Sequence, residues 1–431
     1  MKKFIAYLRS AMLIIVAMGS LISCGNDFND MMKDRTSPPS GGETPLPTPT
    51  PPPSITLSSI SVKIQPTRIA YGLNSNDFDF TDMELTLKYS DGSTQDKIYS
   101  PAEASLYSVT NFDRATTGSS KTADVTYGGV TTTAGGNITG LGVHNLVAKR
   151  GISSPFTYYG YDTLQTAFGS SGESGKTATI TMYADENITS GNIAVSGSGT
   201  DITLTGNAPR TITGYNCWGN DCTALFTINS GASLTLGTAV SDNTITITGH
   251  TNSASQMRAG GGVYVYQGTF IMNGGTISGN TAYSDNASNG WGIGGGVHVG
   301  GTSGSFTMNG GTISGNTAKG NGSDGRGIGG GVGIYLSGTF TMNGGTISNN
   351  NAVNTSTSAN GLGGGVGVYY ETGSTNFVWN GTTAEIIDNT NSAPNGKQVY
   401  KNNSGIVSGT HGNVSSPTSG TNSSGYTAYW D

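Results

Sequence analysis

Cleavage of a glycan on an extended scaffold needs carboxylates paired across the glycosidic bond, or acidic calcium ligands beside an Arg or Lys base. Between Ala259 and Thr390 only seven residues are charged: Asp285, Lys319, Asp324, Arg326, Glu371, Glu385 and Asp388. No two of them recur as a pair, so no catalytic residue is assigned. His144, His250, His298 and His411 stand apart from acidic and thiol residues in the sequence. That isolation favours single surface histidines over a metal site. Asp324, in Gly322-Ser323-Asp324-Gly325, lacks the repetition of a calcium-binding glycine-rich array and reads as a loop carboxylate. No metal and no cofactor is assigned. Tyr266, Tyr335 and Tyr369 share one phase of a repeat, interrupted by Gly300, with Tyr264 and Tyr370 beside it. Tyr264, Tyr266, Tyr335 and Tyr369 are therefore the candidate ligand-stacking face, able to stack on sugar rings or anchor a protein. The same residues also suit any exposed strand by β-propensity alone.

The elements that carry these residues are set by an unusual composition. Of 431 residues 69 are glycine and only 11% are charged, with a formal net charge of -6. Such a surface lacks the basic field that holds nucleic acid. The glycines do not recur every third residue, which excludes collagen. Low charge with ordered apolar alternation argues against disorder.

The order is a repeat. Gly260-Gly261-Gly262-Val263 recurs at Gly294, Gly329 and Gly363, at offsets of 34, 35 and 34 residues. Met272-Asn273-Gly274-Gly275-Thr276-Ile277-Ser278 recurs from Met308 and Met342 and decays to Trp379-Asn380-Gly381. Each unit holds three short alternating pieces, such as Val263/Val265, Phe270/Met272 and the segment around Ile277. Periods of this length mean stacked units. Three strands and three bends close one triangular rung, so the pattern predicts an all-β, three-faced parallel β-helix with rungs about 4.8 Å apart. Asn-Gly-Gly turns the corner after the second strand, where positive φ favours Gly. Asn280, Asn316, Asn350 and Asn389 follow the third strand and are expected to stack as an asparagine ladder. Segments such as 283–293 and 319–328 vary in length and read as loops along one edge.

The GGGV and FxMNGGTISGNTA elements resemble the repeats of polymorphic outer-membrane proteins and, more widely, the pectin-lyase-like right-handed β-helix class. The clear resemblance covers residues 259–389 of a solenoid expected over 146–403. It departs from the polymorphic family in having no membrane barrel after it, only a cap or tail at 404–431. Upstream, Ile180, Ile193/Val195, Ile202/Leu204 and Leu234/Leu236 keep the alternation and predict irregular rungs. Tyr161, Leu164 and Phe168 lie at helical spacing, so a short helix over 161–168 is expected to lid the solenoid.

Ahead of the solenoid, residues 55–145 alternate with period two, as in Met83, Leu85, Leu87 and Tyr89, with turns at Ser90-Asp91-Gly92-Ser93 and Gly128-Gly129. The order of these strands and turns resembles a bacterial immunoglobulin-like domain of the group 3 type. The resemblance implies a small β-sandwich acting as spacer or binding module. Residues 1–23 have the layout of a secretory signal: Lys2, Lys3 and Arg9, then an apolar run from Ala11 to Ile22. Leu21-Ile22-Ser23-Cys24 resembles the bacterial lipobox, which implies lipid, palmitate included, on Cys24 as first residue of the mature chain. Residues 24–54 then form a Pro/Thr-rich linker that, as polyproline II, reaches roughly 50 Å. With Cys24 lipidated and the chain exported to an oxidising compartment, Cys217 and Cys222 are expected to pair as a disulfide, two free thiols being the other reading.

These features predict a lipoprotein on the outer membrane, facing the cell surface or the periplasm, that presents a non-catalytic β-helix. Adhesion, or binding of carbohydrate or a host or cell-surface protein, is the expected function. A structural surface protein without a ligand is the alternative, and a polysaccharide lyase or hydrolase the weakest reading.

Overall fold

The computed structural model describes residues 53–408 and 428–430, apart from 152–154, 220–221, 255–257, 289, 356–360, 370–375, 381–382, 393–396, 398 and 402–405. The expectations placed on the signal, Cys24, the linker up to residue 52 and most of the C-terminal tail lie outside the described residues.

Residues 57–144 build two facing sheets. Strands Leu57–Ile64, Glu84–Tyr89 and Thr94–Ile98 form an antiparallel three-stranded sheet. A mixed sheet holds Ala70–Gly72, Ile138–His144, Gly118–Tyr127 and Tyr107–Thr110. The alternation sets which side chains meet: Met83, Leu85 and Leu87 turn into a core with Ile60, Tyr71, Val125 and Ile138. Glu84, Thr86 and Lys88 point away, where Lys63 bridges Glu84 and Asp96 at 2.9 and 2.5 Å. Both expected hairpin turns form, with positive φ at Gly92 and at Gly128-Gly129.

From Thr177 onward the chain is a right-handed parallel β-solenoid, extended at its first strand by Leu146–Arg150 and Thr157–Tyr161 in antiparallel pairing. Its core is enclosed by three sheets. The first face runs through Val263–Tyr266, the second through Thr269–Met272 and the third through Thr276–Ser278, each continued in register by the following repeats. Like therefore stacks on like. Phe270, Phe306, Phe340 and Phe377 lie face to face at 5.0, 4.7 and 5.0 Å. Ile277, Ile313, Ile347 and Ile386 form one buried column on the third face. The irregular upstream rungs join the same sheets, because Ile202↔Leu234 and Leu234↔Phe270 continue the column with a different side chain. The helix is shorter than expected, Leu164–Phe168, and Tyr161 belongs to a strand instead. Thr163 caps it by accepting the Thr166 N–H, and Phe168 meets Phe226 edge to face inside the core.

Each repeat has five strands rather than three. The segments read as loops contain a fourth sheet, through Thr281–Ser284 and Thr317–Gly320, and a fifth, through Trp291–Ile293 and Arg326–Ile328. The fifth returns flat on the fourth because Gly292, Gly327 and Gly361 lack a side chain: a Cβ there would overlap the carbonyl oxygens of Ala282, Ala318 and Ala352. A strand of three residues centred on Gly has no period-two signature, which is why it reads as a loop.

Asparagine side chains hold the corners. At the bend between third and fourth sheets, Asn280 Nδ2 donates to Asn316 Oδ1 at 3.1 Å, Asn316 to Asn350 at 2.9 Å and Asn350 to Asn389 at 3.0 Å. His250 heads this buried column, its backbone N–H donating to Asn280 Oδ1. A second ladder occupies the opposite corner, where Asn309 donates to Asn273, Asn343 to Asn309 and Asn380 to Asn343 at 2.9, 2.9 and 3.2 Å. In the Asn-Gly-Gly corner only the second glycine has positive φ, at Gly275, Gly311 and Gly345.

Candidate ligand-binding faces

The four tyrosines do not form one exposed face. Tyr266 is 43% exposed, whereas Tyr335 and Tyr369 are 7% and 9% exposed. The fifth sheet covers the latter two, packing Ile293, Ile328 and Leu362 into one cluster with them. Trp291 meets the Tyr369 and Tyr335 rings edge to face at 5.2 and 6.2 Å. Arg326 completes the cover: its Nη1 donates to the Tyr369 hydroxyl at 2.7 Å, and its guanidinium lies 5.2 Å from the Trp291 ring and 4.9 Å from the Tyr369 ring. Residues expected to face solvent on the first strand are thus roofed in two of the repeats by a sheet that the periodicity does not reveal. Tyr264 sits beside Tyr266 at 5.5 Å and is half-buried. Tyr370 lies outside the described residues.

The histidines also depart from expectation. His298, placed on the surface by the alternation, is 4% exposed, stacked on Tyr264 at 4.7 Å. Neither ring nitrogen has a hydrogen-bond partner. Burial pushes its pKa down to about 3, so the ring is neutral at pH 7. His250 is buried too. Its Nδ1 accepts the Tyr215 N–H at 3.4 Å, which leaves Nε2 to donate to the Thr223 carbonyl at 3.0 Å, and burial lowers its pKa. His144 stands 3.5 Å from Asp162, an acidic neighbour brought close by folding. His411 lies outside the described residues. Among the described residues no group of three or more His, Cys, Asp and Glu could hold a metal ion.

The His298 environment makes stability depend on pH. The unfolded chain protonates a histidine near pH 6.5 and the folded chain only near 3, so the unfolded state takes up more protons between these values. The contribution is complete above pH 6.5 and is lost as pH falls towards 3, at up to about 1.4 kcal/mol per pH unit. Denaturant unfolding at pH 7 and pH 4.5 should show this loss, and His298→Phe should flatten it. An equal acid loss in the variant would refute the assignment.

Cys217 and Cys222 form a disulfide with a Cα–Cα distance of 5.6 Å. Trp218, the tryptophan that the sequence places inside this disulfide, is 69% exposed. Lys319 Nζ lies 4.5 Å over the Tyr283 ring, and Asp324 offers its backbone carbonyl to Trp291 Nε1 at 3.1 Å. At the N-terminal end Glu173 is fully buried against Arg150 and Tyr161. Glu186 accepts the Leu164 N–H at the helix start, and burial raises its pKa to about 6. No helix among the described residues is long and apolar enough to cross a membrane.

Fold and surface together define an all-β protein built on a parallel β-solenoid. No protein-family profile matches the chain, and no curated protein matches it.

Proposed function

We propose that the chain is a lipid-anchored cell-surface protein whose solenoid is a non-catalytic scaffold for adhesion, binding carbohydrate or a host or cell-surface protein. Cys24 carries the lipid, the Pro/Thr linker sets the distance from the outer membrane, and the two-sheet domain, read as immunoglobulin-like, is the spacer. The observation that carries this reading is the kind of side chain the rigid sheets expose. Thr246, Thr276, Thr312 and Thr346 stand half-exposed in register on the third face, and the large exposed aromatics on the solenoid include Tyr266 and Trp218. Hydroxyls and aromatic rings suit the binding of sugars and proteins, whereas glycan cleavage ordinarily uses a pair of carboxyl groups. The burial of Tyr335 and Tyr369 favours a second reading, a structural surface protein without a ligand.

Protease added to intact cells should remove the solenoid, and radiolabelled palmitate should enter the wild-type chain but not Cys24→Ser. Protection of the solenoid in intact cells would overturn surface presentation, and label retained by Cys24→Ser would overturn the anchor. Screening the soluble chain against glycans and matrix proteins separates a binding role from a purely structural one.

A further inference from the structure

The two-sheet domain passes into the solenoid end without a linker. Strand Ile138–His144 belongs to the domain and Leu146–Arg150 to the solenoid end, and Asn145 is the single residue between them. Asn145 is itself held: its carbonyl accepts the Tyr183 N–H at 2.7 Å, and its Nδ2 donates to the Asp162 carbonyl at 3.3 Å. Rings from one side fill glycine gaps on the other. The Tyr183 ring, just past Thr177–Met182, lies where a Cβ on Gly72 of the domain would stand, and the His144 ring of the domain lies where a Cβ on Gly160 would stand. Neither glycine has positive φ, so room for the ring, and not backbone conformation, calls for Gly at both places. Arg68 closes the contact. It is 8% exposed, and its guanidinium lies 4.6 Å from the Tyr71 ring and 4.5 Å from the Tyr158 ring, one ring from each side. Its Nη1 donates to Asp77 at 2.5 Å and its Nε to the Ala70 carbonyl at 3.2 Å, which pairs the buried charge and fixes the plane of the fork. An independent spacer would instead be joined by an exposed polar linker and would move against its neighbour.

We propose that the two-sheet domain is a fixed N-terminal bracket of the solenoid, locked by Arg68 between Tyr71 and Tyr158 and by Tyr183 on Gly72. This goes beyond the spacer role given above and holds whatever the solenoid binds. The domain sets the direction in which the solenoid is presented, because no free joint separates them. It also packs against Thr157–Tyr161, the terminal strand of the sheet that forms the second face, where an open edge would invite pairing with another chain.

The test places nitroxide spin labels at Lys88→Cys and Thr189→Cys, one exposed site on each side, in the chain from residue 24 onward carrying Cys24→Ser. Pulsed dipolar spectroscopy should return one narrow distance distribution. Arg68→Ala and Tyr158→Ala should each broaden it by roughly twofold or more, since ring and cation no longer hold each other. Tyr158→Phe keeps the ring and should keep the narrow distribution. Gly72→Val, which puts a branched side chain where the Tyr183 ring lies, should broaden it as well. Amide exchange in Glu84–Tyr89 and in Thr276–Ser278 should stay at the parent rate in Tyr158→Ala, which separates loss of the lock from loss of fold. A broad distribution in the parent chain overturns the bracket. A distribution that stays narrow in Tyr158→Ala and Gly72→Val alike overturns the lock, and so does broadening in Tyr158→Ala that comes with lost protection in Glu84–Tyr89, because Tyr158 would then support the domain's own fold.

Discussion

Asn316→Ala is expected to destabilise the solenoid by roughly 3–5 kcal/mol, while Asn309→Ala in the other ladder costs under about 1 kcal/mol. Both remove an asparagine from a stacked column of asparagines, so the difference isolates burial. Asn316 is fully buried. Its Oδ1 accepts from the backbone N–H and the Nδ2 of Asn280, at 3.0 and 3.1 Å. Its Nδ2 donates to the Ile277 carbonyl and to Asn350 Oδ1, both at 2.9 Å. Alanine strands these groups at a bend that water does not reach, and each stranded group costs about 1–3 kcal/mol. Asn309 is half-buried at its corner, where water replaces the lost amide. Chemical unfolding of the two variants against wild type gives the comparison. Equal losses would mean that burial does not set the cost of breaking a ladder.

What the sequence discloses about this molecule follows from repetition. Phe270, Phe306, Phe340 and Phe377 occupy one phase of the repeat, and the same letter at the same phase defines a column before any coordinate is known. The Asn280 column was legible for the same reason. The Asn273 column is equally regular, but beside Gly-Gly an Asn is accounted for by the turn alone, so its amide ladder has no signature of its own. Alternation alone carried the upstream rungs, where Ile202 and Leu204 take the place of Phe and Met.

Burial of an outward residue depends on what returns over it, and no local pattern records that. Tyr335, Tyr369 and His298 have the spacing of surface residues, yet the first two lie under the fifth sheet and the third against Tyr264. The roof itself rests on single glycines, Gly292, Gly327 and Gly361, whose role is to be absent at Cβ. Of the aromatics at these positions Tyr266 and Trp218 are open to solvent and Tyr335 and Tyr369 are not, because exposure, and not residue type, decides which aromatic can meet a ligand.

Glu173→Ala is expected to cost about 3–5 kcal/mol, reduced towards the lower figure because Arg150 is partly open to water. Glu173 is wholly buried, and Arg150 grips it with Nε and Nη2 at 2.5 and 2.8 Å while the Tyr161 hydroxyl donates at 2.6 Å. Burial, with the Glu173 hydrogen bond second, pushes the Tyr161 phenol well above its ordinary range, so that proton stays on the ring and holds the carboxylate. Removing the carboxylate leaves the guanidinium, among the described residues, with the Gly172 carbonyl at 3.3 Å and the Tyr159 face at 3.7 Å, and with partial access to water. The double variant Arg150→Met, Glu173→Leu should recover most of the loss, since two apolar side chains leave no charge unpaired. A double variant as unstable as Glu173→Ala would show that packing rather than charge pairing is at stake. The damage should also be local. Strand Leu146–Arg150 pairs with Thr177–Met182, the first strand of the parallel stack, and each rung contacts only its neighbours. Amide exchange in Glu173→Ala should therefore accelerate most in Thr177–Met182 and least in Thr339–Met342, whereas uniform acceleration would mean that the solenoid unfolds as one unit and that this ion pair has no special hold on its N-terminal end.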